Sequence, residues 1–330
     1  MTKYLVFGLI LILLFSCEVN RSKSVIDIPL EIPSKTNDSI WVKNTSYNYG
    51  DIRRYGFQDK HLLKEQIDSI IDIGSSGVDI SFPKGLYPIN FVLENKKNLN
   101  IHFNSSIIAG KLSIVNTNNV NITGEIEILD QLFLKNSSNI SFNEVSLRTD
   151  KINNLHKRAN RGVNIYSGSK DITMNELSIE ESGGDDVFFQ YSQAALMIHG
   201  FQDTPKRVII KHILIKNSKR TGAYISGSSH YIGKIKVNNY GLSKNKDNIK
   251  PVEKASIGEE KIFSGVWMNR SENNRIDTLV INNQMGYGTY SIILDESQGY
   301  VPNLIGEISI TDGNDYTVDL NSNTLVMHEF

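Results

Sequence analysis

The sequence predicts an all-β fold, a right-handed parallel β-helix with three strands per coil and a short N-terminal capping helix. Short apolar-x-apolar strands recur in sets of three from about Asn118 onward. Each coil takes roughly 20 residues or more, in the range expected of solenoid repeats. Third strands such as Val187-Phe188-Phe189, Ala223-Tyr224-Ile225 and Val266-Trp267-Met268 each follow a turn rich in glycine or charge. Parallel strands connected in one sense favour the right-handed coil.

The first residues are typical of an export signal. Lys3 precedes an apolar run, residues 5–15, that is too short to span a bilayer. The run ends at Leu14-Phe15-Ser16-Cys17, which resembles a bacterial lipobox. The resemblance implies that Cys17 is lipidated and begins the mature chain. An ordinary secretory signal with an incidental cysteine is the alternative. Cys17 is the only cysteine, so the sequence excludes an internal disulfide.

These features divide the chain into three parts. Residues 1–16 are a lipoprotein signal peptide, residues 17–46 a polar tether, and residues 47–330 the β-helix domain. We expect an exported protein anchored in the outer membrane through its lipid, facing the periplasm or the cell surface. The formal net charge of -1 provides no global field that would attract nucleic acid.

The N-terminal end of the domain carries a capping pattern. Ile67, Ile70 and Ile71 repeat at helical spacing, and Gly74 ends the helix. The segment Ile80-Ser81-Phe82-Pro83-Lys84-Gly85-Leu86-Tyr87 follows. A Tyr-Gly turn, an amphipathic helix and this strand pair together resemble the start of many pectate-lyase-superfamily β-helices. A solenoid exposes its core at its end, and a short helix can cover it.

Loop length points to one face of the solenoid. The connection between the second and third strands varies most, holding residues 148–162, 180–186, 216–222, 238–265, 282–290 and 311–317. A further insertion follows a third strand at 191–207. Insertions in solenoids accumulate on one face, often the binding face. We therefore expect the ligand to lie along the third strands.

Two short segments on this face resemble enzymes. Gly183-Gly184-Asp185-Asp186-Val187 resembles the segment at the catalytic strand of polygalacturonase-like β-helix enzymes. Arg220-Thr221-Gly222-Ala223-Tyr224-Ile225 resembles a segment that often follows one coil later. The resemblance implies a glycoside hydrolase or polysaccharide lyase, with Asp185, Asp186 and Arg220 at its site.

The residue types allow two reactions. Hydrolysis needs two carboxyl groups across the scissile bond, and Asp186 would be joined by Glu181, Asp150 or Asp315. Uronate β-elimination needs a cation at the carboxylate and a base for the C5 proton. Arg220 with Lys219, or a Ca²⁺ ion held by Asp185 and Asp186, would supply the first. His156, Lys219 or Tyr224 would supply the second. Alternatively, Asp185 and Asp186 only space a coil, and Arg220 pairs with them in a surface ladder.

The middle residues of the third strands predict an outward column. Its members are Asn164, Phe188, Tyr224, Trp267 and Ile292, and Tyr287 extends the same side. Exposed aromatic rings indicate a binding site unless loops cover them, and flat rings stack well on sugars. We expect Phe188, Tyr224, Trp267 and Tyr287 to bind carbohydrate, with cover by the neighbouring loops as the alternative.

Together these patterns predict a lipid-anchored protein that acts on a polysaccharide as a lyase or a hydrolase. A noncatalytic glycan-binding, structural or adhesive surface protein fits the same features. The scattered histidines show no metal-ligand spacing, so we expect no transition-metal site. Ca²⁺ stays the one cofactor considered.

Overall fold

The computed structural model describes residues 42–57, 64–150, 159–183, 194–243, 261–285, 288, 290–311, 315–318 and 322–329. These residues belong to one compact unit. They form a parallel β-helix in which each strand pairs in parallel with strands of the coils before and after it. The all-β fold class and the N-terminal capping helix are confirmed.

In the described ranges, one α-helix, α1 (Lys64–Gly74), precedes twenty strands. The strands are β1 Ile80–Phe82, β2 Gly85–Tyr87, β3 Phe91–Glu94, β4 Lys97–Ile108, β5 Leu112–Val115, β6 Asn118–Ile128, β7 Gln131–Lys135, β8 Ser138–Leu147, β9 Gly162–Ile165, β10 Lys170–Glu180, β11 Ala194–Ile198, β12 Lys206–Lys216, β13 Thr221–Ser228, β14 Tyr231–Asn238, β15 Ser264–Glu272, β16 Arg275–Asn282, β17 Tyr290–Leu294, β18 Asn303–Ile310, β19 Asp315–Val318 and β20 Thr324–Glu329. Short 3-10 helices cover Ile52–Tyr55 and Lys261–Phe263.

The first and second strands of most coils run together. In β10, for example, inward residues alternate from Ile172 to Met174 and again from Leu177 to Ile179, on either side of a bend. The third strand of each coil is a separate element, such as β9 or β13. Most described coils therefore consist of two elements, joined by a variable loop in one direction and a tighter turn in the other.

The core is a stack of aliphatic ladders. Side chains at the same position in successive coils lie in register and inside the coil. One such ladder runs through Ile80, Ile101, Ile122, Phe142, Met174, Ile210, Ile232, Ile276, Ile305 and Val326. The ladder begins in β1, so the coils start well before the Asn118 boundary that the apolar pattern suggested.

α1 closes the N-terminal end of this core. Its apolar side chains Ile67, Ile70 and Ile71 are buried, and a Cβ placed on Gly74 would lie 2.9 Å from a methyl group of Leu99. Phe82 sits beneath the helix among other aromatic rings. The helix hides the apolar surface that the first coil would otherwise expose to water.

Asparagine occupies several of the turns. Asn98, Asn119 and Asn139 have φ values of 56°, 57° and 54°, in the left-handed region that asparagine tolerates better than most residues. The side-chain amide of Asn119 donates to Asn98 at 2.8 Å. In the next two coils Asp171 and Arg207 take this place and form an ion pair at 2.5 Å.

Two strand assignments from the sequence are wrong. The third strand of the fifth coil is β11, since Leu196 pairs with Val163 on one side and Ala223 on the other. Val187-Phe188-Phe189 therefore does not occupy that place, and it lies outside the described residues. In β17 the inward-facing residues lie one position away from those predicted, because Ile292 rather than Ile293 pairs with the inward Val266.

Candidate functional site

The outer face of the third-strand sheet is the candidate site. Successive coils place one residue each in an outward column, and the register pairs every member with the next. The column contains Ser113, Phe133, Asn164, Met197, Tyr224, Trp267 and Ile293. Met197 therefore stands where Phe188 was expected, and Ile293 where Ile292 was expected. Buried Met197, Trp267 and Ile293 lie outside the core cluster, as outward-facing residues should.

Aromatic rings follow one another along this face. Phe133 and Tyr166 have ring centroids 6.4 Å apart and planes inclined by 27°. Tyr166 lies 4.8 Å from His199, and His199 lies 6.4 Å from Tyr224. Tyr224 meets Trp267 edge to face at 5.0 Å. We call these five residues the aromatic row. Its rings come from adjacent coils, so the row runs along the solenoid axis.

Trp267 is not open to solvent, which corrects the expectation of an exposed ring. It is 1 % exposed. Its indole N–H donates to Asp295 Oδ2 at 3.3 Å, and the Lys261 ammonium lies 5.9 Å from the ring centroid. Lys261 also pairs with Asp295 at 2.9 Å. The covering alternative thus holds at this end of the row.

The other rings remain partly exposed. Phe133, Tyr166, His199 and Tyr224 are each half-buried. The Asn269 amide donates to the Tyr224 hydroxyl at 3.3 Å, and burial raises the pKa of Tyr224. Tyr224 is therefore a protonated phenol at neutral pH. The accessible part of the row runs from Phe133 to Tyr224.

Cations surround the Phe133 end. The Lys111 ammonium lies 4.3 Å from the Phe133 centroid and the Lys135 ammonium 5.8 Å from the Tyr166 centroid. Arg161 pairs with Asp130 through Nε–Oδ1 at 2.7 Å and Nη2–Oδ2 at 2.5 Å. Burial lowers the pKa of Lys111, the nearby Arg161 lowers it further, and Asp130 raises it. Lys111 thus loses its proton more readily than an ordinary lysine.

Two polar groups on this face have no hydrogen-bond partner within the described residues. They are His199 Nε2 and Asn164 Oδ1, both buried. Burial lowers the pKa of His199 to about 4, so its imidazole is neutral near pH 7. A buried polar group without a partner costs free energy. A ligand group reaching either atom would recover part of that cost.

Lys219 and Arg220 lie on a tightly held turn. The Lys219 N–H donates to the Ser182 carbonyl at 3.0 Å, and the Gly241 N–H donates to the Arg220 carbonyl at 2.9 Å. The turns of three successive coils are therefore stacked. Arg220 is 6 % exposed and Lys219 half-buried.

The remaining predicted site residues lie outside the described part of the chain. They are Cys17, His156, Asp185, Asp186, Phe188 and Tyr287. Of the partner acids considered for hydrolysis, Asp150 is 5 % exposed and Glu181 occupies a left-handed turn position with φ 55°. The predicted roles of all these residues stay predictions.

Within the described ranges, no three histidine, cysteine, aspartate or glutamate side chains are grouped so as to hold a metal ion. None of the helices in those ranges has the length and apolar character needed to cross a bilayer.

Comparison with known proteins gave no match, either to a protein-family model, to a curated protein or to a solved structure.

Sequence reasoning missed the Phe133 end of the site. Phe133 is the outward residue of β7 and Tyr166 directly follows β9, and neither was among the predicted site residues. Lys111 lies before Asn118, where the predicted coils begin. Lys111, Gln131 and Gly162 stand at equivalent positions at the start of three successive third strands. The polar side chains of the first two were the sequence signal for this end of the site.

Proposed function

We propose that this protein binds an anionic polysaccharide along the outer face of the third-strand sheet. The observation that carries the proposal is the aromatic row, with half-exposed rings at Phe133, Tyr166 and Tyr224 and with Lys111, Lys135 and Arg161 beside its first two rings.

The geometry suits a linear polymer. Strands of neighbouring coils are about 4.8 Å apart, so three coil steps from Phe133 to Tyr224 span about 14 Å. Sugar rings present apolar C–H surfaces to flat aromatic faces. A glycan lying along the solenoid axis would meet one partly exposed ring after another, whereas a small ligand would meet only one or two.

The charges favour an acidic glycan. Lys135 is exposed at the edge of the row, and Lys111 is held near Phe133 without a paired carboxylate of its own among the described salt bridges. A carboxylate or sulfate on the sugar would neutralise these ammonium groups while the ring stacks. Neutral glycans would leave them unpaired in a partly dry site.

β-Elimination of a uronate glycan is the reaction that the described residues favour. The reaction needs a cation that neutralises the sugar carboxylate and a base that removes the C5 proton. Arg161 is a candidate for the first role. Lys111, whose lowered pKa increases its neutral fraction, is a candidate for the second. Lys219 and Arg220, with Asp185, Asp186 and His156, stay an alternative catalytic set, and a noncatalytic glycan-binding protein is the alternative function. Lipidation at Cys17 would hold the site at the membrane surface.

Affinity electrophoresis of the purified protein tests the binding proposal. We expect retardation in gels that contain polygalacturonate or alginate and none in gels that contain dextran. Phe133→Ala and Tyr166→Ala should each weaken retardation several-fold, since an aromatic contact contributes about 0.5–1.5 kcal/mol. Tyr300→Ala is the matched control because Tyr300 is 101 % exposed on a turn away from the row. Equal retardation of all variants would reject the aromatic row as the site.

Ultraviolet absorbance of unsaturated uronate products tests the catalytic part. Lys111→Ala should abolish product formation, while Lys135 and the aromatic rings keep part of the retardation in polygalacturonate gels. If no uronate glycan yields an unsaturated product but binding persists, the protein is a noncatalytic binder.

A further inference from the structure

A second charged surface lies on the outer face of the second strands, away from the aromatic row. Five residues from successive coils form one outward ladder, in register from β6 through β14. They are Glu125, Glu144, Glu176, His212 and Lys234. The first three coils present carboxylates and the next two present nitrogen bases. We call this row the charge ladder.

The order of the charges is unfavourable within one molecule. Like charges directly opposite on neighbouring strands are destabilising, and Glu125, Glu144 and Glu176 are direct neighbours in register. The only boundary between opposite types is satisfied internally, since His212 Nδ1 lies 2.6 Å from Glu176 Oε1. Four residues further along the same two strands, Glu180 and Lys216 pair at 2.7 Å across the same boundary.

Charges farther from the boundary are left without ion pairs. Among the residues that the structure describes, Glu144, Lys234 and Lys236 form no salt bridge, and all three are exposed. The Ser105 hydroxyl donates to Glu125 at 2.7 Å, but no cation accompanies it within the same described ranges. The ladder thus has an acidic arm, Glu125 to Glu176, and a basic arm, His212 and Lys234. The outer charges of each arm have no ion-pair partner among the described residues.

The ladder borders a concavity of about 480 Å³. The adjoining outward column contains, in register, Ser146, Ser178, Leu214 and Lys236. Ser146 and Ser178 line the half of the concavity that lies beside Glu144 and Glu176. Two small hydroxyl side chains leave space above the sheet. Long side chains from an opposing surface could enter that space without displacing the protein's own residues.

We propose that this face docks on the same face of a second copy of the chain, with the two solenoids antiparallel. A two-fold axis parallel to the strands, passing between the coils of Glu176 and His212, places Glu144 opposite Lys234 of the second copy. The same operation places Lys236 opposite Ser146, above the open part of the concavity. The interface is isologous, so each contact occurs twice.

A second copy fits this surface better than other occupants. Both copies repeat their charges at the same strand spacing of about 4.8 Å, so Glu176 and Glu144 of one copy face His212 and Lys234 of the other over two adjacent coils. Reversal of direction is required, because a parallel arrangement would oppose carboxylates to carboxylates. A metal ion is not supported, since no described side-chain cluster here could hold one.

The association should be sensitive to salt. The charges are exposed, and exposed pairs are screened within about 10 Å at 0.1 M ionic strength. Sedimentation velocity of the full chain in 20 mM and in 500 mM NaCl, over a concentration series, measures it. We expect a dimer at low salt, and we expect its Kd to rise at least ten-fold at high salt. A protein that is monomeric at every concentration in low salt would overturn the proposal.

Two charge reversals test the antiparallel geometry. Glu144→Lys alone opposes two lysines, and Lys234→Glu alone opposes two glutamates, so each variant should be monomeric. An equimolar mixture of the two variants should dimerise, because every opposed pair is then of opposite charge. Glu296→Lys and Lys97→Glu, at exposed positions off this face, are the matched controls and should dimerise like the wild type. If the mixture stays monomeric, or if either single variant dimerises normally, the proposed interface is wrong.

Discussion

His230 should make the fold sensitive to mild acid. Its side chain is 2 % exposed in the turn before β14. Nδ1 accepts a hydrogen bond from the Val208 N–H at 3.1 Å, and Nε2 lies 3.0 Å from the Ser226 carbonyl. This arrangement requires a neutral ring with its proton on Nε2. Burial accordingly lowers the pKa of His230 from 6.5 to about 4, although the Ser226 carbonyl raises it in part.

The direction of the pH effect follows from proton uptake. Below pH 6.5 the unfolded chain binds a proton at His230, and the folded protein does not until about pH 4. Stability from this residue is therefore fully present above pH 6.5 and is lost as the pH falls toward 4. Linkage gives a loss of about 2 kcal/mol at pH 5. Asp171 and Asp277 have lowered pKa values through their arginine and tyrosine partners, so their contributions are lost only below about pH 4.

Urea unfolding at pH 7.5 and pH 5.0 provides the assay. The wild type should lose about 2 kcal/mol more than His230→Gln over this interval. His199, whose pKa is lowered in the same way, is present in both proteins, so the comparison isolates His230. His212→Gln is the control, since His212 is exposed. If wild type and His230→Gln lose equal stability, the buried neutral imidazole is not the cause.

Further substitutions test the core, the site and the anchor. Ile215→Asp should unfold the protein at room temperature by circular dichroism, because Ile215 is 0 % exposed and an unpaired buried charge costs several kcal/mol, while Ile215→Val should cost about 1 kcal/mol. Arg220→Ala should abolish turnover with folding intact if Arg220 is catalytic, and unchanged turnover of polygalacturonate would exclude that role. Trp267→Ala should lower the melting temperature by several degrees, since the ring is buried, and a melting temperature equal to that of the wild type would contradict its packing role. Cys17→Ala should release the protein from the membrane fraction, and a mature N-terminus elsewhere would exclude lipidation.

The apolar alternation was sufficient to predict the coils but not which apolar triplet forms a strand. Val187-Phe188-Phe189 and Leu196-Met197-Ile198 both offer two inward residues with one between them. Alternation is the same in both, and pairing with Val163 and Ala223 selects the second. In Ile292-Ile293-Leu294 every residue is apolar, so the pattern has no phase at all, and the register with Val266 sets it.

A small residue before the first inward residue of the later third strands was a signal in favour of Leu196-Met197-Ile198. Gly162, Ala195, Gly222, Gly265 and Ser291 take this position. A Cβ on Gly222 would lie 2.4 Å from the Gly265 carbonyl oxygen, and one on Gly265 would lie 2.5 Å from the Ser291 carbonyl oxygen. Small residues therefore occupy this position in these five coils, whereas Lys111 and Gln131 occupy it in two earlier coils.

The candidate site was only partly predictable, for a related reason. Tyr224 and Trp267 were found because they are aromatic and at strand centres. The burial of Trp267 depends on Lys261 and Asp295, which are distant in sequence and meet only after a 3-10 helix and a later coil are in place. No local pattern contains that information.

This column of small residues holds the start of the third strand close to the neighbouring coil. The length of the connection before the strand therefore does not change the core. The chain enters β13 and β15 through this column of small residues, although the connection from β12 to β13 is short and the one from β14 to β15 is long. The connection can therefore vary in length while the ladders keep their register. Transplanting a foreign loop in place of residues 244–260, which leaves the buried Tyr240 and the Lys261–Asp295 pair intact, should change what the surface recognises while the scaffold keeps its register.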